Sequence, residues 1–195
     1  MRIEFDAAQD EANKTKHGLS LALADQWGMR WETVSIISHS SGGNMASIVV
    51  HGEKLIARPI EVVQAQFVDM GHHASTRVHA GLDVSNVRAK DGGCRFTGRR
   101  RVFGMLQEDE IEVLRRTDGS STLRSLSGSN AGLLITQEFE SVGAEGTRVR
   151  TTVEMPLKGM LMLLAPLVRM GLQRDVAIAL EEDRVDLEER GYPKL

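Results

Sequence analysis

From about Met45 to Leu195 the sequence predicts an antiparallel α+β domain, and three observations predict it. A β-branched segment leads into short helical ones. A long alternating region broken by turn signals follows, and the tail carries no turn signal except Pro166. Taken in order, Ser47 to Ala57 is strand-like and ends at Arg58-Pro59. Pro59 suits the first turn of a helix, where its missing N–H costs nothing. Ile60, Val63, Phe67 and Met70 then recur at helical spacing, and Gly71 to Gly81 reads as a second short helical turn or loop.

From Val78 to Met155 the turn signals are Asp91-Gly92-Gly93, Gln107-Glu108-Asp109, Asp118-Gly119-Ser120 and Gly143-Ala144-Glu145-Gly146. They delimit a six-strand meander: 78–89, 94–105, 110–117, 122–129, 133–142 and 147–155. Gly128 to Gly132 reads as a bend between strands. In the last strand Val149, Thr151, Val153 and Met155 share one face, as a half-solvated antiparallel sheet requires. The tail from Leu157 to about Gly191 reads as one long helix bent at Pro166. Its second half sets Val176, Ala179, Leu180, Val185 and Leu187 against Glu181, Glu182, Asp183, Asp186 and Glu188. Gly191 and Pro193 end it.

Composition narrows the class without naming a partner. At 195 residues, 41% hydrophobic and 26% charged, the chain can bury one good core. A formal net charge of -3 gives no overall attraction to nucleic acid, so none is expected as a partner. The single Cys94 permits neither an internal disulfide nor a cysteine zinc site, and the N-terminus has no apolar run of signal type, which together point to the cytoplasm. Gly159 to Leu172, the most apolar stretch, is shorter than the ~20 residues of a bilayer span and contains Arg169. It is expected to be a buried helix, not a transmembrane one.

Residues 1–44 stand apart. Ala, Asp, Glu, Gln and Lys dominate the first 27 residues, and Ser38 to Asn44 has the composition of a linker. The expected organisation is therefore an N-terminal extension and linker, 1–44, followed by one domain, 45–195.

The densest polar group is Asp69, His72, His73, Arg77 and His79. Histidines titrate near neutrality, so His72, His73 and His79 are candidates for proton transfer or for orienting a ligand. Adjacent histidines point in different directions and no His-x3-His spacing occurs, so no metal site is expected. No Ser-His-Asp pattern, P-loop or dinucleotide glycine motif can be assembled, and no cofactor is expected. In Arg99-Arg100-Arg101 side chains alternate faces, leaving at most an inward arginine for a ligand carboxylate. Cys94 reads as a small buried residue.

The order strand, short helices, six-strand meander and long helix is similar to the helix-grip fold. With IARPIEVVQAQFVDMGHH (56–73), EFESVGAEGTRVRTTVEM (138–155) and ALEEDRVDLEERGYP (179–193), the stretch 45–195 resembles the START-like, or SRPBCC, superfamily. That superfamily includes polyketide cyclase/dehydrase-like and lipid-transport proteins. The resemblance implies a cavity between a curved sheet and the C-terminal helix. Its apolar wall is expected at Met160, Leu163, Leu164 and Leu167, and its mouth at Asp69, His72, Arg77, His79 and Arg101. Two readings follow. One is binding of a small apolar or lipid-like ligand; the other is a polyketide cyclase or dehydratase working in the same cavity, with the histidines moving protons and Arg77 or Arg101 as oxyanion partner. The apolar helix segment would equally suit a contact in a homodimer. Separately, IEFDAAQDEANKTKHGLSLALA (3–24), with Phe5-Asp6 and Asn13 to Gly18, resembles the opening of BrnT-type ribonuclease toxins, which implies a fused fragment, a start codon placed too early or, as a third reading, a toxin-derived RNA-acting protein.

Overall fold

The structure is a computed structural model that describes residues 47–102, 105–157, 162 and 164–193, all within one unit, Glu32–Leu195. The N-terminal extension and its toxin-like motif lie outside the described residues. Seven strands form one antiparallel sheet: β1 (Ser47–Ile56), β2 (Asp83–Lys90), β3 (Gly93–Val102), β4 (Met105–Arg115), β5 (Ser121–Ser125), β6 (Leu134–Val142) and β7 (Gly146–Pro156). Among the described residues the helices are α1 (Ile60–Val68), α2 (Met70–Thr76) and α3 (Ala165–Glu188). This is the α+β helix-grip architecture.

Strand order is β1-β7-β6-β5-β4-β3-β2, so β1 and β2 are opposite edges. The chain that leaves β1 must therefore cross the sheet before β2, and α1 and α2 make that crossing. Pro59 precedes α1 and accepts from the amides of Val62 and Val63 through its carbonyl. At the junction Asp69 caps α2, its Oδ1 accepting from the His72 amide at 2.9 Å. Arg77 ends α2 in the left-handed conformation, φ 51°.

Alternation sorts the sheet into two faces. Outward, Arg148 and Arg150 of β7 meet Glu53 of β1 and Glu140 of β6 at 3.0–3.3 Å. Inward, Ile48, Val50 and Ile56 join Val149, Val153, Val63, Phe67, Val176, Leu180 and Leu187 in the main core. A second cluster, Met70, Val84, Cys94, Phe96 and Val113, lies under α2. Burial, then the Asp69 charge, pushes the Cys94 thiol up, so it is a protonated core residue as expected.

Three local expectations are corrected. Gln107-Glu108-Asp109 is strand, not turn: Glu108 faces out to Arg99 at 2.6 Å, while Asp109 is buried and accepts from Asn130 Nδ2 at 2.6 Å. A polar run mimics a turn when one of its members has a partner inside. Pro166 does not bend a helix; it lies in the first turn of α3, where no backbone donor is needed. Asp183 and Asp186 do not lie on the solvent side of α3; both are buried, with relative exposures of 4% and 1%.

Helix α3 lies along β1, and Gly52 is what lets it come close. A Cβ there would stand 2.6 Å from Val176 Cγ1 and 3.1 Å from Leu180 Cδ1. Val176 is β-branched and cannot swing aside cheaply. In an ordinary strand Gly→Ala is stabilising by about 0.5–1 kcal/mol. Here Gly52→Ala is expected to destabilise by about 1–3 kcal/mol through overpacking, read as a lower urea midpoint at unchanged m-value. A raised midpoint would mean that α3 is not held against β1 in this way.

Candidate functional site

Two regions carry chemistry. The first is the inner face of the sheet between β4 and β7. Cross-strand register aligns Phe96 with Ile111, Val113 with Leu123, Leu123 with Ile135, and Phe139 with Val149. Phe139 meets Phe67 of α1 edge to face, with ring centroids 5.3 Å apart. Ile111, Leu123, Leu133, Ile135 and Phe139 nevertheless stay only partly buried. A short polar row crosses this face: Thr151 opposes Gln137, Gln137 opposes Ser121, and Ser121 Oγ donates to Gln137 Oε1 at 2.8 Å. The buried Thr151 hydroxyl has no partner among the described residues.

Helix α3 contributes Ala165, Val168 and Leu172 to this side. At 100° per residue, Leu167 and Met170 then fall on the opposite side, and they are 60% and 62% exposed. Leu164 lies on the flank, 46% exposed. Of the wall expected from sequence, Leu167 thus faces away from the core, while Met160 and Leu163 lie outside the described residues. Arg101 also stands outward and exposed; by parity Arg100, not Arg101, shares the face of Cys94, Phe96 and Gly98. One counting step along a strand reverses which arginine points inward.

The second region is a polar layer between the crossing helices and the C-terminal half of α3. Gln66, fully buried on α1, donates through Nε2 to Asp183 Oδ1 at 3.1 Å and Asp186 Oδ2 at 3.2 Å. His72 Nε2 donates to Asp186 Oδ2 at 2.8 Å. His73 Nε2 donates to the Gln66 carbonyl at 3.0 Å. His79 Nδ1 donates to Glu182 Oε2 at 3.1 Å, and its Nε2 is 3.6 Å from Asp183 Oδ1. Asp69 receives the Tyr192 hydroxyl at 3.2 Å. The expected group Asp69, His72, His73 and His79 is therefore brought together, whereas Arg77 is exposed at the end of α2.

The environments of the two inner histidines diverge. Burial, aided by His79 and His72, holds His73 below its ordinary value despite Asp183. Burial also opposes a charge on His79, but Asp183, Glu182 and Asp186 outweigh it and raise its pKa. Glu182 is held down against burial by the His79 hydrogen bond and the Ala80 amide. Ligand atoms of His73, His79 and Asp183 lie within 4.8 Å of one another, a grouping that could hold a metal. The expectation of no metal site rests on spacing within one segment; the third group comes from α3, about a hundred residues on. Sequence reasoning missed Gln66, Glu182, Asp183, Asp186 and Tyr192. The available signal was that Asp183 continues the series Leu172, Val176, Leu180 at helical spacing.

A sheet closed by one long helix and crossed by two short ones defines the helix-grip class of α+β proteins. The chain has the fold of the START-like superfamily. A protein from Thermus thermophilus superposes with a TM-score of 0.64 at 20% identity, covering 73% of this chain and 99% of its own. The Zhui aromatase/cyclase from Streptomyces sp. R1128 gives 0.57 at 14%, covering 74% and 98%. A START superfamily protein from Mycobacterium smegmatis gives 0.57 at 14%, covering 71% and 98%. At such identities the likeness is one of fold. No protein-family model matches the sequence, and neither does any curated protein. Among the described residues no helix is long and apolar enough to cross a membrane.

Tyr192 reports on the layer, because it is the only tyrosine in the chain. Burial, together with the Asp69 charge, pushes its pKa up to about 12. The unfolded phenol ionises near 10, so the unfolded chain releases this proton first and stability falls as pH rises above about 10. A spectrophotometric titration should show a single phenolate step near pH 12 in the folded protein, shifted to about 10 in denaturant. A step near 10 in the folded state would contradict the burial of this hydroxyl against Asp69.

Proposed function

We propose that the protein holds a small apolar or lipid-like molecule against the inner face of β4 to β7. The observation that carries the reading is the condition of that face. Ile111, Leu123, Ile135 and Phe139 come from neighbouring strands, with Leu133 just before β6, yet each keeps part of its area exposed. An ordinary core would bury these residues, each contributing roughly 1.5–3 kcal/mol when fully covered. Apolar concave surfaces with a few placed polar groups are the usual form of a small-molecule site. Thr151, Gln137 and Ser121 supply such groups, and the unpartnered Thr151 hydroxyl suits a ligand oxygen. The START-like and aromatase/cyclase neighbours lend support at the level of fold.

The outer hollow beside Asn86, about 180 Å³, is a poorer candidate: Arg88, Arg95, Glu108 and Glu110 line it, and it is below the ~300 Å³ of typical ligand sites. Proton transfer by the histidines is the less favoured reading. His72 is tied to Asp186, His73 to the Gln66 carbonyl, and His79 to Glu182 with Asp183 beyond.

Two measurements test the binding reading. Native mass spectrometry of the purified protein, followed by solvent extraction, should reveal a bound apolar molecule. An anilinonaphthalene sulfonate dye should bind with enhanced fluorescence, and Leu123→Trp and Ile135→Trp, which add bulk on the inner face, should each weaken it by about tenfold, or 1.4 kcal/mol. Thermal melting verifies that both variants fold. Dye affinity unchanged in both folded variants would defeat the proposal.

A further inference from the structure

We propose that His73, His79 and Asp183 form a binding site for a divalent transition-metal ion of the zinc class. The site is separate from the apolar face and does not depend on it. Its three ligand atoms lie within 4.8 Å of one another, close enough for a small side-chain adjustment to bring them onto one ion. Zinc takes nitrogen and carboxylate ligands at about 2.0–2.2 Å, and two imidazoles with one carboxylate is a set it accepts with a position left open. Two imidazole nitrogens argue against calcium or magnesium, which want oxygen.

The outer partners strengthen the case. In metal sites each ligating imidazole usually gives its far N–H to a carbonyl or carboxylate, which fixes the tautomer. His79 is so arranged here: it gives Nδ1 to Glu182 and keeps Nε2 on the side of Asp183, while His73 bonds the Gln66 carbonyl through Nε2. The rings stand 5.0 Å apart between centroids. Asp183 is itself held by Gln66 Nε2, and the Oε1 of that fully buried amide has no partner among the described residues.

Charge points the same way. Asp183, Asp186 and Glu182 converge on this layer, and among the described residues their hydrogen-bond donors there are histidine, glutamine and the Ala80 amide, with no lysine or arginine. Asp183 and Asp186 are buried and Glu182 half-buried; His79, and Arg190 acting on Glu182, supply part of the positive charge such a group calls for, and a metal ion would supply the rest. The cluster is enclosed at His73 and Asp183 and reaches solvent at His79, whose side chain is 15% exposed, so an ion has a way in.

The test uses the untagged full chain. Equilibrium dialysis against Zn²⁺ with elemental analysis should find one ion per chain, and Co²⁺ should give visible absorption bands from nitrogen and oxygen ligands. Asp183→Asn and His79→Gln should each weaken retention by at least a hundredfold, and Glu182→Gln, which removes only an outer partner, by about 10- to 100-fold. His51→Ala, at an exposed position of β1 bonded to Thr152, should leave retention unchanged. Circular dichroism without metal establishes that each variant folds. Should the wild type retain no stoichiometric metal, or should folded His79→Gln and Asp183→Asn retain it as well as the wild type, the assignment fails.

Discussion

The arrangement depends on one constraint: two carboxylates, Asp183 and Asp186, lie on the core face of the closing helix. An ionised carboxylate without partners inside a protein is too costly to keep. The donors come from the crossing segment, through Gln66 Nε2 and His72 Nε2. Those bonds fix where α1 and α2 sit relative to α3, since Gln66 must reach two successive acids at once. The order of the edge strands had already forced this segment across the sheet; the acids determine where it stops.

Helix α3 is consequently two different structures end to end. Its C-terminal half is locked by the polar layer and by Arg184, which bonds Glu181, Glu188 and Glu189. Lys54 adds a tie from β1 to Glu181 at 2.6 Å. Its N-terminal half is held by apolar contacts, through Ala165, Val168 and Leu172, while Leu164, Leu167 and Met170 stay exposed. Local opening concentrates where buried contacts are few. On the proposed binding reading, a ligand entering under the first half would leave the second undisturbed, because the two halves are held by different contacts.

Most of the fold is legible in the sequence, because its signals are local: β-branched runs, turn residues and helical spacing mark the strands and helices of the described residues. The errors arise where a long-range partner overrides a local pattern. Asp109 reads as a turn residue until Asn130 is placed beside it, held in part by Gly128, whose added Cβ would stand 2.2 Å from Asp109 Oδ1. Asp183 and Asp186 read as solvent-facing because charge normally is. Of the polar layer the sequence reveals only the half contributed by residues 69–79, since these are neighbours in the chain. The other half sits on α3 and becomes a neighbour only after folding.

Stability alone does not account for the layer remaining polar, because well-packed apolar residues in place of a buried ionic cluster often give equal or greater stability. Nor does fixing the position of α1 need so many groups, since Gln66 and His72 with the two acids would suffice. His73 and His79 are surplus to that task, and each offers a ligand atom within 4.8 Å of one on Asp183. Two imidazoles grouped with one carboxylate exceed what positioning the helices requires, and a divalent cation would give that grouping a use.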